Sequence, residues 1–295
     1  MKIRRIFLLF IIIFSGVIGA KADGLFQYPI VPDSISTLTG RCDYQARHFW
    51  DFCDLKKAFS SRARVADEFR GYLEILQLAT PDSAMAAVEA FTKRLEKQPD
   101  DLLFLAEIAE AELYSDTAKV WADELYIPFA QAVVKNKKIQ KPYKARFRQQ
   151  AEVLSNSLPG RKIPSIPYTR PDGSQGDVAM DSARVVLLYI NDPDCSACRM
   201  ARVRLSADVN TRQLIDEGVL KIVAITPADP DEKWRGDVEG YPKEWSVGAS
   251  PDIDMILDLR GDMPVFYILD KNGKIRFKHL DIDQVLDIMR QLKKR

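Results

Sequence analysis

The chain has 295 residues, of which 46% are hydrophobic and 29% charged, as in ordinary globular proteins. Its 43 basic and 42 acidic residues nearly balance, so nothing in the charge indicates a nucleic-acid partner. With only two histidines beside four cysteines, a zinc site lacks an evident set of ligands, and we expect neither a metal nor a bound cofactor.

The amino terminus has the pattern of a secretory signal peptide. Lys2, Arg4 and Arg5 precede a thirteen-residue apolar run, and small residues precede a cleavage position after Ala22. The run is shorter than the roughly twenty apolar residues that span a bilayer, which favours cleavage over a retained anchor. We therefore predict that residues 1–22 are removed and that the mature protein is periplasmic, without stable membrane insertion.

Residues 23–157 are predicted to form a mostly helical domain, because apolar residues recur at intervals of three and four. Thr80-Pro81 marks a helix start, since proline suits the first helical position, and Gln98-Pro99 separates this helix from a second one that starts near Asp100. Ala84, Val88, Phe91 and Leu95 share one face of the first of these helices. Further helical patterns cover residues 44–59, 64–78, 125–135 and 143–154.

Cys42 and Cys53 admit two interpretations. On one continuous helix they would lie about 16 Å apart at 1.5 Å per residue, too far for a disulfide. A bridge would require a break between them, although an exported protein tolerates disulfides. Two buried thiols are the favoured interpretation, and a structural disulfide is the alternative.

A second domain follows a linker of residues 158–164, which contains two prolines and a glycine. From about Ile166 to Leu292, strand and helix patterns alternate in a βαβ…ββα order. Residues 227–251 are predicted to be a long loop, whose Trp234, Tyr241 and Trp245 anchor it or, alternatively, form a rim for partner recognition. His279 is predicted to be a partly exposed residue of the last strand rather than a catalyst.

The sequence Cys195-Ser196-Ala197-Cys198 lies between the apolar run of residues 185–190 and a helical pattern. A CxxC motif at a helix start is typical of a redox site, because the unpaired N–H groups of the first turn stabilise a thiolate. Cys195 is the expected nucleophile, and Cys198 the residue that resolves its mixed disulfide.

At these residues the chain resembles the thioredoxin-like superfamily, in particular the exported TlpA-like thiol-disulfide oxidoreductases. Met263-Pro264 precedes a strand pattern over residues 265–269, and a turn leads to a final strand. The resemblance implies an α/β domain over residues 158–295, with a central mixed sheet flanked by helices. It also implies a cis bond before Pro264 that leaves the backbone of Met263 free to pair with an extended client.

The chain departs from this pattern near the cysteines. Many thioredoxins carry a buried acid six positions before the first cysteine, where this chain has Tyr189. Asp194 is expected to cap the helix and to oppose a thiolate at Cys195, and Arg199 could offset its charge. Tyr189, Asp194 and Arg199 are therefore the predicted redox-tuning residues.

The amino-terminal region resembles a helical domain of uncharacterised function that precedes thioredoxin-like domains in some exported bacterial proteins. The resemblance depends on residues 44–52 and 124–128. Our hypothesis is that this domain docks on the thioredoxin-like domain or recruits a client. The aromatic cluster around Trp50 is expected to be core, because aromatic side chains dominate buried contacts.

Together these features predict an exported thiol-disulfide oxidoreductase that acts on protein or small-thiol disulfides through Cys195 and Cys198. Its partners would be client proteins with disulfides and a thiol electron donor that the sequence does not identify. The alternative is a non-catalytic client-binding module in which Cys195 and Cys198 form a static disulfide. An accessible CxxC at a helix start favours the enzyme.

Overall fold

The computed structural model describes residues 25–181 and 183–294, so the predicted signal peptide lies outside the described residues. From α1, which begins at Leu38, to Ser157 the chain is mostly helical, and the described residues after it combine a seven-stranded sheet with helices. This order confirms the predicted helical region followed by a mixed α/β domain. Within the two described ranges, no helix is long and apolar enough to cross a bilayer.

Seven α-helices make up the described part of the amino-terminal domain. They are α1 (Leu38–His48), α2 (Leu55–Ala58), α3 (Arg62–Leu78), α4 (Pro81–Arg94), α5 (Pro99–Leu113), α6 (Asp123–Lys135) and α7 (Lys141–Ser157). Proline lies in the first turn of α4, α5 and α7, where its missing N–H interrupts no helical hydrogen bond. The predicted apolar face of α4 is confirmed, since Ala84, Val88, Phe91 and Leu95 are all buried.

The helix predicted over residues 44–59 is wrong, because the chain leaves α1 after His48 and turns before α2. Contacts with α4 hold this turn. The ring of Trp50 stacks on Phe91 with centroids 4.6 Å apart, and Arg94 donates hydrogen bonds to the carbonyls of Trp50 and Cys53, at 2.8 and 3.0 Å. Trp50 is buried, which confirms its predicted place in the core.

Cys42 lies in α1 and Cys53 in the turn that follows, and both are buried free thiols. The break that a disulfide would require is present, yet the two cysteines are not bonded. Burial raises the pKa of both thiols, that of Cys53 to about 11. These thiols are therefore inert core side chains, as the favoured interpretation holds.

The carboxyl-terminal domain is built on one mixed sheet in the order β2-β1-β5-β4-β3-β6-β7. Strand β3 pairs in parallel with β4 and antiparallel with β6. The strands are β1 (Pro167–Thr169), β2 (Gln175–Asp177), β3 (Val185–Ile190), β4 (Leu220–Thr226), β5 (Ser246–Ala249), β6 (Val265–Asp270) and β7 (Ile275–Lys278). The helices are α8 (Ser196–Ala207), α9 (Val209–Asp216), α10 (Glu232–Val238) and α11 (Ile282–Lys293).

The central strand β3 is buried along its whole length, because it contributes to two cores. Alternate side chains point to opposite faces of a strand. Val186, Leu188 and Ile190 belong to one core, whereas Leu187 and Tyr189 pack on the other face against α8, α9 and α11. Because β3 is fixed between these two cores, the position of its carboxyl end is also fixed, and α8 begins shortly after it.

The predicted loop of residues 227–251 instead contains α10 and β5, an inner strand between β1 and β4. Its three aromatic side chains are buried, which confirms that they anchor the segment. The sequence did not predict β5 because it is short and contains Gly248, and glycine is uncommon in strands. A Cβ atom at Gly248 would lie 2.2 Å from the ring of Tyr168 on the neighbouring β1, so only glycine fits there.

The linker of residues 158–164 is hydrogen-bonded along the outer edge of β7. The N–H of Gly160 donates to the carbonyl of Ile275 at 2.7 Å, and the N–H of Ile275 donates to the carbonyl of Arg161 at 2.8 Å. Just before the linker, the Ser157 hydroxyl accepts a hydrogen bond from the N–H of Asp258 at 2.9 Å. The last residue of α7 thus contacts the carboxyl-terminal domain, as does Asn156 before it, whose side-chain amide donates a hydrogen bond to the carbonyl of Ile256 at 3.2 Å.

Candidate functional site

Cys195 is the N-cap residue of α8. Its sulfur accepts a hydrogen bond from the N–H of Cys198 at 3.1 Å. The N–H groups of a first helical turn lack helical acceptors and carry the positive end of the helix dipole, so negative charge on this sulfur is favourable. Cys195 is partly exposed. A sulfur at this position can meet a reactant from solvent.

Cys198 differs from Cys195 although the two lie one helical turn apart. Cys198 is only 1% exposed. Burial, together with its hydrogen bond to Cys195, raises the pKa of the Cys198 thiol to about 12. Both cysteines are free thiols in the structure. Cys198 is therefore a protonated thiol that solvent does not reach, beside a partly exposed partner.

The loop before β6 brings Met263 and Pro264 to the cysteines. The Met263–Pro264 peptide bond is cis, as the resemblance implies. The carbonyl of Met263 lies 3.7 Å from the Cys195 sulfur and accepts its hydrogen bond. The structure thus brings together the four residues that the sequence proposes for catalysis and substrate binding.

Tyr189 is buried in β3 beneath the cysteines. Its hydroxyl donates a hydrogen bond to the carbonyl of Cys198 at 2.6 Å, and its ring stacks on Phe266 with centroids 5.4 Å apart. Burial, followed by the charges of Tyr241 and Cys198, raises the pKa of the Tyr189 phenol, so it remains neutral. Tyr189 therefore holds the start of α8 by a backbone contact.

Asp194 does not cap α8, so this expectation is wrong. Cys195 occupies the cap, and the exposed Asp194 carboxylate instead pairs with Lys233 of α10. A hydrogen bond from Lys233 and its charge lower the pKa of Asp194. Arg199 is exposed and donates to the carbonyl of Pro193 at 2.8 Å. Lys233, which the sequence analysis missed, is thus the cation that directly pairs with Asp194.

A cleft of about 370 Å³ lies between α8, the loop that carries Met263 and the start of α11. Ala197 and Ala201 of α8 form one wall, and Met263 and Pro264 form another. Trp121, from the connection between α5 and α6, completes the lining. The amino-terminal domain therefore reaches the surroundings of the cysteines.

Behind this cleft, Asp258 is the centre of a buried ion cluster. Its carboxylate is 1% exposed and bonds to Arg260 at 2.7 Å, Lys278 at 2.9 Å and His279 at 2.8 Å. Burial alone would raise the pKa of the Asp258 carboxyl. Hydrogen bonds from Arg260 and His279 and the charge of Lys278 nevertheless hold that pKa well below its usual range. The carboxylate is therefore charged at neutral pH.

Asp123 of α6 joins the helical domain to this cluster. It accepts hydrogen bonds from Arg260 and from Lys278, each at 2.6 Å. His279 is partly exposed, as predicted, but it lies directly after β7, which ends at Lys278, and not on the strand as predicted. The sequence analysis missed Asp123, Asp258 and Trp121, because most of the partners that bring them together are distant along the chain. The one local signal was a tryptophan in a helix connection without helical periodicity.

These features can be compared with known proteins. Residues 15–157 match a domain of unknown function, DUF5106. A search of curated proteins gave no match. The crystal structure of a thioredoxin-like protein from Bacteroides caccae is 23% identical, covers 90% of this chain and 98% of its own, and has a TM-score of 0.70.

Two shorter structures each cover 46% of this chain. The carboxyl-terminal domain of an uncharacterized protein from Bacteroides fragilis is 27% identical over 46% of this chain and 99% of its own, with a TM-score of 0.43. The thioredoxin domain of a thiol-disulfide oxidoreductase from Bacteroides vulgatus is 21% identical over 46% of this chain and 97% of its own, with a TM-score of 0.40.

The likeness to the Bacteroides caccae protein extends over both domains and confirms the predicted fold class. The helical part coincides with the matched family, whose match ends at residue 157, the last residue of α7. The chain therefore combines a helical region that matches the DUF5106 family with a carboxyl-terminal domain of the thioredoxin-like fold.

Proposed function

We propose that the protein is an exported thiol-disulfide oxidoreductase that acts through Cys195 and Cys198. The observation that carries the proposal is the contrast between the two thiols. Cys195 is partly exposed at a helix amino terminus, whereas Cys198 is buried with a pKa raised to about 12. This contrast suits one attacking and one resolving sulfur.

In the first step, the Cys195 thiolate attacks one sulfur of a client disulfide. A bond forms between Cys195 and that sulfur, the client S–S bond breaks, and the other client sulfur leaves as a thiolate. The hydrogen bond from the Cys198 N–H supports the negative charge on Cys195 before the attack. No metal or cofactor takes part in this exchange.

In the second step, the Cys198 sulfur attacks the Cys195 sulfur and releases the second client thiolate. Because burial raises the pKa of Cys198, its proton leaves as the new bond forms, and the released client thiolate takes up a proton from solvent, so that protons balance. The client gains two electrons, and the protein is left with a Cys195–Cys198 disulfide. A thiol donor then restores both thiols; the same steps in reverse oxidise a client dithiol.

Met263 and Pro264 would present the client. The Met263 carbonyl already accepts a hydrogen bond from Cys195, so an extended client chain that pairs with this backbone would lie beside the attacking sulfur. Tyr189 and the Asp194–Lys233 pair are proposed to tune the site indirectly, through the backbone of Cys198 and the charge near α8.

Export is part of the proposal and depends on the sequence of residues 1–22. A basic start followed by a short apolar run and small residues before position 23 is typical of a cleaved signal peptide. Such a protein would meet clients and its thiol donor in an oxidising compartment. Cell fractionation and sequencing of the mature amino terminus test this part separately.

The principal experiment traps the mixed disulfide. Purified Cys198→Ala should accumulate a disulfide between Cys195 and a denatured, disulfide-containing substrate, visible by non-reducing electrophoresis, because no resolving thiol remains. The wild type should reduce the same substrate in the presence of dithiothreitol. Cys195→Ala should do neither.

Cys42→Ala is the matched control, since it removes one buried thiol far from α8 in the sequence and should behave as the wild type. Trapping by Cys195→Ala, or no reduction and no trapping by any variant, would contradict the proposal. In that case a wild type whose Cys195–Cys198 disulfide resists dithiothreitol would support a client-binding module instead.

A further inference from the structure

We propose that the helical domain completes the client-binding cleft through Trp121. The cleft then selects clients with a large apolar side chain next to the reacting cysteine over clients with an acidic one there. This inference rests on the proposed function and adds to it a substrate class and a role for the helical domain.

The position of the cleft is the first argument. Met263 lines it and also accepts the hydrogen bond from Cys195, so the cleft adjoins the attacking sulfur. Its volume of about 370 Å³ is near the lower end of the range for ligand pockets, about 300–1,000 Å³. A cleft of this size accommodates one or two side chains of an extended segment rather than a folded surface.

Trp121 is held rigidly in the cleft wall. Its indole N–H donates a hydrogen bond to the carbonyl of Ser115 at 3.0 Å. The guanidinium of Arg260 lies 4.7 Å from the centre of its ring, and the ring of His279 lies 5.2 Å away. A Cβ atom at Gly261 would approach the indole to 3.0 Å, so glycine leaves room for it.

Trp121 remains partly exposed despite these contacts. A tryptophan that is already fixed loses little conformational entropy when a partner binds, and such residues contribute strongly to binding. The apolar side chains of Pro264, Phe266 and Ile282 lie in the same lining. An aromatic or aliphatic client side chain would therefore find an apolar, preformed contact surface.

Charge supplies the argument against acidic clients. Arg260, a cation in the lining, is already paired with Asp258 and Asp123, and the neighbouring Lys278 with the same two carboxylates. His279 bonds to Asp258 as well. Two further lining residues, Asp262 and Asp281, are exposed carboxylates. An acidic client residue would therefore meet cations that are already compensated and two like charges.

The test compares two peptides that differ only in the residue after their single cysteine, phenylalanine in one and glutamate in the other. Each cysteine carries a nitrothiobenzoate group through a disulfide. Attack by Cys195 on the peptide sulfur forms the peptide–Cys195 disulfide and releases the coloured nitrothiobenzoate thiolate. Second-order rates are measured in the Cys198→Ala background, where one turnover occurs.

We expect the phenylalanine peptide to react about tenfold faster than the glutamate peptide. Trp121→Ala should reduce this preference to threefold or less, whereas Trp121→Phe, which keeps an aromatic ring, should retain most of it. Val120→Ala is the matched control, because this neighbouring side chain is exposed and absent from the cleft lining, and it should keep the full preference. Circular dichroism verifies that each variant is folded.

An unchanged preference in folded Trp121→Ala, or a faster reaction of the glutamate peptide, would overturn the inference. Equilibrium binding of the same peptides with serine in place of cysteine tests the cleft without the chemistry. If Cys195 reacts neither with the two peptides nor with dithiobis(nitrobenzoate), the symmetric disulfide of nitrothiobenzoate, the proposed function fails. The inference about the cleft is then tested by the binding measurement alone. Tighter binding of the phenylalanine peptide that is lost in Trp121→Ala supports the inference, and equal binding of the two peptides refutes it.

Discussion

Replacement of Asp258 by asparagine tests the physical account of the interface between the domains. The substitution keeps the shape of the side chain but removes its charge. Arg260 and Lys278, only 9% and 11% exposed, would then share the single carboxylate of Asp123. Removing one partner from a buried ion pair costs about 3–5 kcal/mol, because the remaining charges stay buried.

Asparagine still accepts a hydrogen bond, so we expect a destabilisation near 3 kcal/mol. At about 2–4 °C per kcal/mol for a domain of this size, thermal unfolding should shift downward by about 6–12 °C. Circular dichroism measures this shift. Asp254→Asn, at an exposed position four residues earlier, is the control and should stay within about 0.5 kcal/mol of wild type. Equal melting temperatures for Asp258→Asn and wild type would refute the reasoning.

The pH dependence of stability provides a second readout of the same substitution. The folded-state pKa of Asp258 lies well below its usual range, so its contribution is complete above the unfolded-state pKa of about 3.9. That contribution is lost as the pH falls from about 4 toward the folded-state pKa. The stability difference between wild type and Asp258→Asn should therefore shrink as the pH falls below about 4. Denaturant unfolding at several pH values measures it.

Three further predictions follow from burial and packing. In the reduced protein at pH 8, iodoacetamide should label Cys195 at least a hundredfold faster than Cys198, because the Cys198 thiol is buried and its pKa is raised to about 12. Mass spectrometry at early time points measures the two labelling rates, and equal rates would contradict this prediction. Gly248→Ala should destabilise the protein by about 3 kcal/mol or more, since the new methyl group meets the ring of Tyr168, and normal chemical unfolding of this variant would contradict the packing. Gly71→Ala should instead stabilise α3 by about 0.5–1 kcal/mol, because no atom lies within 4 Å of the added Cβ, and a lowered melting temperature would argue against the helix.

Local signals in the sequence predicted much of the fold. Prolines at positions 81 and 99 set the starts of α4 and α5, and the three-to-four spacing after each of them identified the buried faces. The apolar run before Cys195 became β3, and the turn chemistry after residue 269 became the β6–β7 hairpin. These features depend on neighbours in the chain, which a sequence displays directly.

The failures have a different origin, because each depends on residues that are distant in sequence. The end of α1 is set by Arg94, which binds two carbonyls more than forty positions earlier. Asp194 fails to cap α8 because Cys195 occupies the cap, and the Asp194 carboxylate pairs instead with Lys233, 39 positions later. The ion cluster at Asp258 draws on Asp123 from the other domain. No periodicity or motif records such contacts.

The connection between the two domains also limits how the protein can be divided. An uncovered edge of a β-sheet presents unpaired backbone groups that promote association with other chains. Residues 160–163 form backbone hydrogen bonds with Ile275, the first residue of β7, and with Gly273 before it, so the connecting segment shields the beginning of that edge. A shortened protein that begins after Pro164 would lose this shield and should aggregate, whereas a fragment that begins at Leu158 keeps it.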